Sequence, residues 1–325
     1  MARVLTLAFF ILFSLPAIGE EKPKAVCETA TLLAQIFKVQ PDQIPWKVDL
    51  RPHCNISDQG SIGSCWANSG LEVYDQWFHK AGELQKTEHL SKDYYAGIHI
   101  WEGAMGDFSS EGLITAINEG GSVEYFQNTL FKAGFVLEKD FQFPKINGKS
   151  IRESKEIHAE FYTKLNEAKT AKDPELFRSV LEKYLGKLGE VPAIEPERGF
   201  SSKFFELTYS KEDAQFIGYE NLESKITQTL DYGLPVTFGI HQFGTRLRSA
   251  KRTSHIFGGA HNPLTDNTGG HAMNIIGYHL NQNGKVDFYL IENSWGKEFG
   301  TEGTSTISAK YLYQQTKSYA IPNVK

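Results

Sequence analysis

Helical patterns occupy the first part of the chain and strand patterns the last part, and this separation limits the possible folds strongly. Apolar residues recur at helical spacing after Cys65 and again between residues 150 and 188. The final third instead carries β-rich runs bounded by Gly and Asn turns, at 235–241, 271–279, 286–292 and 304–308. Elements separated in this way predict an α+β protein of two lobes.

A charged helical stretch at about 150–205 is predicted to be a hairpin inserted into the host domain. Its first helix has an apolar stripe at Ile157, Phe161 and Leu165. The second helix is predicted to begin at Asp173 and Pro174, an N-cap and first-turn pair. Its apolar face runs from Leu176 to Leu185, and Gly186 ends the helix.

The N-terminus has the layout of a secretory signal peptide over residues 1–19. Arg3 precedes an apolar run from Val4 to Leu15, and small residues follow. A membrane anchor is the alternative, but this run is short for a span. We therefore expect a short leader at 20–44 and a mature form that is not embedded in a membrane. The expected location is outside the cell, or in a periplasmic or lysosome-like compartment.

Charge and cysteine content narrow the partners and the redox chemistry. The formal net charge is -5 and the basic residues are scattered, which argues against a nucleic-acid partner. The three cysteines are Cys27, Cys54 and Cys65. Cys27 and Cys54 either form a bridge or remain two isolated thiols, and in both cases Cys65 stays free. The oligomeric state is left open.

The segment from Asp58 to Ala67 brings a cysteine to the start of an amphipathic helix through a Gly-rich turn. Backbone N–H groups and the helix dipole at that point favour the thiolate of Cys65 over the thiol. Because the thiolate is the reactive form, the placement suits a nucleophile. A small buried apolar cysteine is the structural alternative.

A histidine and an asparagine occupy the ends of two predicted neighbouring strands. His271 begins one strand, and Asn293 follows the next, with Trp295 close behind. An imidazole beside a thiol can hold it as an ion pair and later protonate a leaving amine. An amide oxygen that accepts the other ring N–H fixes the tautomer and the plane of the imidazole.

Three blocks of this sequence resemble those of the papain-like cysteine peptidases. They are PWKVDLR at 45–51, DQGSIGSCWA at 58–67, and GGHAMNIIGY at 269–278 with YLIENSWGKEFGTEG at 289–303. The resemblance implies a two-lobed papain-like domain over 45–325, with a helical left lobe and a β-barrel-like right lobe. His271 follows Cys65 by 206 residues, against roughly 130–150 in that family, and the helical insertion accounts for the excess.

The resemblance also implies a role for each matching residue. Cys65 would be the nucleophile, His271 the acid–base, Asn293 its orienting partner, and Gln59 an oxyanion donor. Supporting positions would be Trp66 beside the nucleophile and Trp295 over the His–Asn pair, and INEGGS would bind substrate backbone through Gly120 and Gly121. The expected substrates are peptides or proteins, with no cofactor and no metal.

The sequence departs from the family pattern in ways that affect stability and regulation. Ile62 stands where the secreted enzymes usually have a bridging cysteine, and Asn68 replaces the usual aromatic residue. The leader at 20–44 is short for the family's inhibitory prosegment. The insertion and the ENSWG block are similar to the bleomycin hydrolase and aminopeptidase C branch, whose C-terminal tail measures substrate ends. Here the chain stops at Lys325 without an obvious spare tail.

An endopeptidase is therefore favoured over an aminopeptidase of the bleomycin hydrolase type. A catalytically silent papain-like binding protein is a weaker reading, since none of the four reacting positions is substituted. Acyl transfer would use the same acyl-enzyme with a different acceptor. Metal hydrolysis is also weak, because His241, His255 and His261 lack the spacing of a metal site.

Overall fold

The computed structural model describes residues 44–110, 112–114, 121, 129–130, 132–193, 207–210, 218–240, 256–257 and 270–322. Several expectations concern residues outside these ranges: the signal peptide, the leader, Cys27, Gly120, and the three histidines His241, His255 and His261. Within the described ranges, no helix is long and apolar enough to cross a membrane.

Six helices are described, and their ends follow the capping residues in the sequence. They are α1 (Cys65–Ala81), α2 (Lys92–Phe108), α3 (Lys155–Thr170), α4 (Pro174–Leu185), α5 (Tyr219–Asp231) and α6 (Ala309–Gln315). The side chains of Ser91, Ser154 and Asp173 each accept a backbone N–H at a helix start. Gly82 ends α1 in the left-handed conformation, as expected for a glycine after a helix.

Eight strands form one sheet that is antiparallel apart from one pair. They are β1 (Val48–Asp49), β2 (Leu207–Ser210), β3 (Val236–Ile240), β4 (Ile256–Phe257), β5 (His271–Leu280), β6 (Val286–Glu292), β7 (Thr304–Ser308) and β8 (Thr316–Ile321). The order is β2-β8-β3-β5-β6-β7-β4, with β1 paired to β5 and with β4 parallel to β7. The path is open in the described part, so "barrel-like" overstates its closure.

The predicted hairpin is present as α3 and α4. Ile157, Phe161 and Leu165 are buried, and they pack in the same cluster as the residues of α1 and α2. Phe161 contacts Tyr184 of α4 ring to ring. Leu176 differs from the expectation: it is 45% exposed because it lies in the first turn of α4, away from the covered face.

The buried apolar residues fall into two clusters, which matches the two-lobed expectation. One unites α1, α2 and the hairpin and includes Cys65. The other lies between the sheet and the helices α5 and α6. Because β5 supplies Ala272 to the first cluster and Met273 to the second, its N-terminal end lies where the two halves meet.

Cys54 is a free thiol in the described part of the chain, and Cys27 lies outside that part, so a bridge between them stays a prediction. Its sulfur lies 3.3 Å from the carbonyl oxygen of Leu50, to which the thiol donates. It lies at the C-terminal end of a short 3-10 turn, Arg51–His53, which follows β1.

Candidate active site

Cys65 is the first residue of α1, and the turn before it is held by Asn68. The Asn68 side chain donates to the carbonyl oxygen of Ser64 at 2.8 Å and to its hydroxyl at 3.1 Å. Ser64 itself makes no side-chain cap. The asparagine that departs from the family pattern therefore fastens the residue immediately before the cysteine.

The surroundings of the Cys65 sulfur both oppose and support the thiolate. Burial raises the pKa of the thiol, since Cys65 is only 9% exposed. Backbone N–H groups of Ala272, Trp66 and Cys65 itself lower that pKa in part. Backbone N–H groups at the helix start therefore favour the thiolate, as the sequence predicts, but desolvation by burial is the larger effect and the pKa of Cys65 is raised overall.

His271 and Asn293 are joined by a hydrogen bond between Nε2 and Oδ1, at 2.8 Å. His271 begins β5, and Asn293 directly follows β6, the neighbouring antiparallel strand. The two side chains are 7% and 1% exposed. An amide oxygen can only accept, so Nε2 carries the proton and Nδ1 is the basic nitrogen of the neutral ring.

Burial also sets the charge of this imidazole. It lowers the pKa of His271 to about 4, and the hydrogen bond to Asn293 offsets only part of that effect. Near neutral pH the resting site therefore holds a neutral imidazole and a thiol.

Gln59 reaches the site from the segment before α1. Its Nε2 donates to the carbonyl oxygen of Ile62 at 2.9 Å, and its Oε1 accepts the Ser294 hydroxyl at 2.6 Å. An amide nitrogen has two hydrogens, so one remains for a further acceptor. Both contacts fix the plane of the amide.

A short backbone pairing holds the Gln59 segment against the residues after β6. Gln59 N–H donates to the Ser294 carbonyl at 2.8 Å, and Gly296 N–H donates to the Ser57 carbonyl at 2.9 Å. Asp58 and Trp295 form an isolated antiparallel bridge between these two bonds. Hydrogen bonds thereby connect the segment of the oxyanion candidate to the segment that carries Asn293.

The two tryptophans contact different parts of the candidate site. The Trp295 ring lies 5.1 Å from the His271 ring and 5.7 Å from that of Phe299, centre to centre. Trp66 is 1% exposed, and a Cβ on Gly121 would lie 2.7 Å from its indole. Only glycine allows so close an approach, which places Gly121 beside the cysteine helix.

The structure thus brings Cys65, His271 and Asn293 into one region, because the Cys65 sulfur accepts the N–H of Ala272, the residue after His271. Sequence reasoning missed Ser294 and the backbone of Ala272. Ser294 directly follows Asn293 in the ENSWG block, and this position was the one sequence signal that could have placed it at the site.

A family model described as papain family cysteine protease matches residues 200–321, the part that carries His271 and Asn293. The structure of PepW from Lactobacillus rhamnosis superposes with a TM-score of 0.56 at 15% identity, covering 93% of this chain and 89% of that one. Xylellain from Xylella fastidiosa gives 0.50 at 19% identity, covering 90% and 89%. The chain has the fold of the papain-like cysteine peptidases, and its residues 200–321 match the model of that family.

The structural likenesses cover both halves of the chain, whereas the family model covers only part of its second half. At such low identity they show the fold of the chain alone. No curated protein sequence matches the chain. Cys65 and Gln59 lie outside the matched segment; the Cys65 sulfur meets the backbone N–H of Ala272, and Gln59 meets the Ser294 hydroxyl.

Proposed function

We propose that this protein is a cysteine peptidase that cleaves internal peptide bonds. Cys65 would be the nucleophile, His271 the acid–base, Asn293 its orienting partner and Gln59 the oxyanion donor. The supporting observation is the His271–Asn293 hydrogen bond at 2.8 Å, together with the hydrogen bond that the Cys65 sulfur accepts from the backbone N–H of Ala272, the residue after His271. The cysteine helix and the strand end lie at the junction of the two clusters of buried residues, where an extended peptide can lie between them.

The chemistry begins with transfer of the thiol proton to the Nδ1 atom of His271. The sulfur forms a bond to the scissile carbonyl carbon, whose oxygen becomes an oxyanion near the Gln59 amide and the Cys65 N–H. The C–N bond breaks as the imidazolium gives its proton to the leaving amine. Water then attacks the thioester with His271 as base, which releases the acid and restores the thiol.

Labelling tests the mechanism. A thiol-directed peptide epoxide should modify Cys65 alone, and Cys65→Ala should abolish both labelling and peptide hydrolysis. Cys27→Ala is the matched control, and it should keep both. An adduct mapped to another cysteine, or hydrolysis that survives in Cys65→Ala, contradicts the assignment.

Blocked peptides distinguish the endopeptidase from an aminopeptidase of the bleomycin hydrolase type. An N-acetylated peptide should be cleaved internally at a rate similar to that of its free-amine counterpart. Release of single N-terminal residues only, from the free form only, would favour the aminopeptidase. No cleavage of either form, with an intact fold, would favour a binding protein.

Export is the second part of the proposal. The charged start, the apolar run and the small residues of 1–19 support a cleaved signal peptide. Mass spectrometry of the protein recovered outside the producing cell should find a new N-terminus near residue 20. Recovery only as the full-length chain inside the cell contradicts export.

A further inference from the structure

A second group of side chains that can bind a metal ion includes Glu292, the residue immediately before Asn293. Cys54, Glu72 and Glu292 each offer a ligand atom, and these three atoms lie within 4.8 Å of one another. Glu72 is 1% exposed and Glu292 is 5% exposed, while Cys54 is partly exposed. The proposed catalytic steps do not use any of these three residues, which we call the Cys54 cluster.

One oxygen of the buried Glu292 carboxyl has no hydrogen-bond donor. Its Oε2 accepts no hydrogen bond. The Cys54 thiol and the Asn274 side chain approach the same carboxyl, and Asn274 is oriented by the Thr237 hydroxyl, which donates to its Oδ1 at 2.8 Å. A buried carboxylate oxygen without a donor is costly, so a cation that binds it removes a real penalty.

In the Glu72 carboxyl, likewise, one oxygen accepts hydrogen bonds and the other accepts none. Its Oε1 accepts the backbone N–H of Asn55 at 3.1 Å and the Gln76 amide at 3.0 Å. Its Oε2 accepts no hydrogen bond and lies 3.8 Å from the Lys92 ammonium, which donates to the Asn55 carbonyl at 3.1 Å. These contacts hold the carboxyl in place and leave Oε2 open to a ligand.

The charges identify the class of ligand. With an ion bound in place of the protons, a Cys54 thiolate and two carboxylates carry three negative charges, and Lys92 at 3.8 Å from Glu72 supplies one positive charge. A divalent cation supplies the other two, which makes the buried group neutral. Thiolate sulfur together with carboxylate oxygen suits zinc and ions like it, whereas calcium and magnesium prefer oxygen alone.

We propose that Cys54, Glu72 and Glu292 form a site for Zn²⁺ or a similar divalent ion. Zinc binds sulfur at about 2.3 Å and carboxylate oxygen at about 2.0–2.2 Å, so each ligand atom has to move inward by at most about 1 Å. Water completes the fourth position from the Cys54 side, which is partly exposed.

The ion would join the two parts of the candidate active site. Glu72 lies on α1, the helix that begins at Cys65, and Glu292 immediately precedes Asn293. A metal bridge between them fixes the distance between the cysteine helix and the strand that carries the asparagine. The inference is independent of the proposed function, because it needs only binding and stability.

Cobalt binding tests the site in the full-length chain. Co²⁺ added to metal-free protein should give a thiolate-to-cobalt absorption band. The band should persist in Cys65→Ser and Cys27→Ser and disappear in Cys54→Ser. Zn²⁺ should displace Co²⁺. A wild-type protein without the band, a band that survives in Cys54→Ser, or a band lost in Cys65→Ser overturns the proposal.

A second measurement serves if Cys54→Ser does not fold. Glu292→Gln keeps the shape of the side chain but removes a metal ligand. It should weaken Zn²⁺ binding by more than the roughly 10- to 100-fold loss caused by removing a residue that only hydrogen-bonds to a ligand. Zn²⁺ should raise the Tm of Cys65→Ser, and this rise should vanish when Glu292→Gln is added. Glu220→Gln, an exposed carboxyl remote from the cluster, is the control and should leave the rise unchanged. An equal rise with and without Glu292→Gln contradicts the site.

Discussion

His271 Nε2 lies 2.8 Å from Asn293 Oδ1, and the two residues are joined across neighbouring strands. Since the amide oxygen accepts, the proton of the neutral ring stays on Nε2 and the base is Nδ1. The bond also holds the ring beside Trp295, at 5.1 Å between ring centres. One contact therefore sets the tautomer and restricts the orientation of the ring.

Asn293→Ala should lower kcat for peptide hydrolysis by about 10- to 100-fold, part of the 10²–10⁴-fold that a positioned acid–base supplies. The ring keeps its place between neighbours but loses its fixed tautomer. Steady-state kinetics on a peptide substrate measures the effect. Asn283→Ala, in an exposed turn, is the matched control and should leave kcat unchanged. Equal kinetics in the two variants would contradict the orienting role.

Ser294→Ala should lower kcat by about fivefold, because the hydroxyl holds Gln59 Oε1 at 2.6 Å and such a bond contributes about 1 kcal/mol. Gln59→Ala, which removes the donor itself, should cost about 10²–10³-fold. Comparing the two variants with the double variant checks the link. Since Ser294 acts through Gln59, the double variant should be no slower than Gln59→Ala, and additive losses would argue against that link.

The stability of the fold should fall as the pH drops from about 6.5 to about 4. Burial lowers the pKa of folded His271 to about 4, while the unfolded chain keeps the ordinary value of 6.5. The unfolded state therefore binds more protons inside this window, and folding loses about 3 kcal/mol across it. Above pH 6.5 this contribution is fully present, and below pH 4 it is gone.

Urea unfolding at several pH values measures this contribution. His271→Gln removes the titrating ring. The difference in unfolding free energy between the wild type and His271→Gln should therefore narrow as the pH falls from about 6.5 to about 4. Other carboxyl groups affect both proteins equally and cancel. Parallel curves for the two proteins would show that the buried imidazole does not carry the effect.

Gly60→Ala should destabilise the fold by about 1–3 kcal/mol more than Gly148→Ala does. Both glycines have positive φ, +59° and +82°, so both substitutions strain the backbone. Only at Gly60 would the new Cβ meet a carbonyl, that of Arg152 at 2.1 Å, which already accepts the Ser61 N–H at 2.9 Å. Nothing lies within 4 Å at Gly148.

The midpoint and slope of urea unfolding give the two losses. Because Arg152 lies just before the helical hairpin, a large loss at Gly60 would also show that the hairpin's N-terminal end supports the turn before Cys65. If the unfolding free energy fell equally in both variants, the Arg152 carbonyl would move away from the new Cβ without a cost in stability, and the prediction would be wrong.

Local elements were the features most accessible from the sequence. The α1 helix starts at Cys65 and ends before Gly82, as its apolar spacing and glycine predict. Strand bounds at 286–292 and 304–308 agree with the structure, whereas β3 is observed over Val236–Ile240 within the expected 235–241. Such elements depend on side-chain periodicity and capping, which a short segment contains in full.

The pairing of His271 with Asn293 was also predictable, since adjacent antiparallel strands place their ends together. The electrostatics were not. The expectation of a thiolate rested on the helix start, but the extent of burial of Cys65 depends on residues from distant segments.

By itself the sequence determined the class of fold, the helical hairpin and the four residues proposed for catalysis, because periodicity and local motifs carry that information. Only the tertiary structure decided what those residues contact. Gln59 meets Ser294 across 235 positions, and Glu72 approaches Glu292 across the two halves. Burial, hydrogen bonding and charge balance arise when distant segments pack together, so no local pattern can specify them.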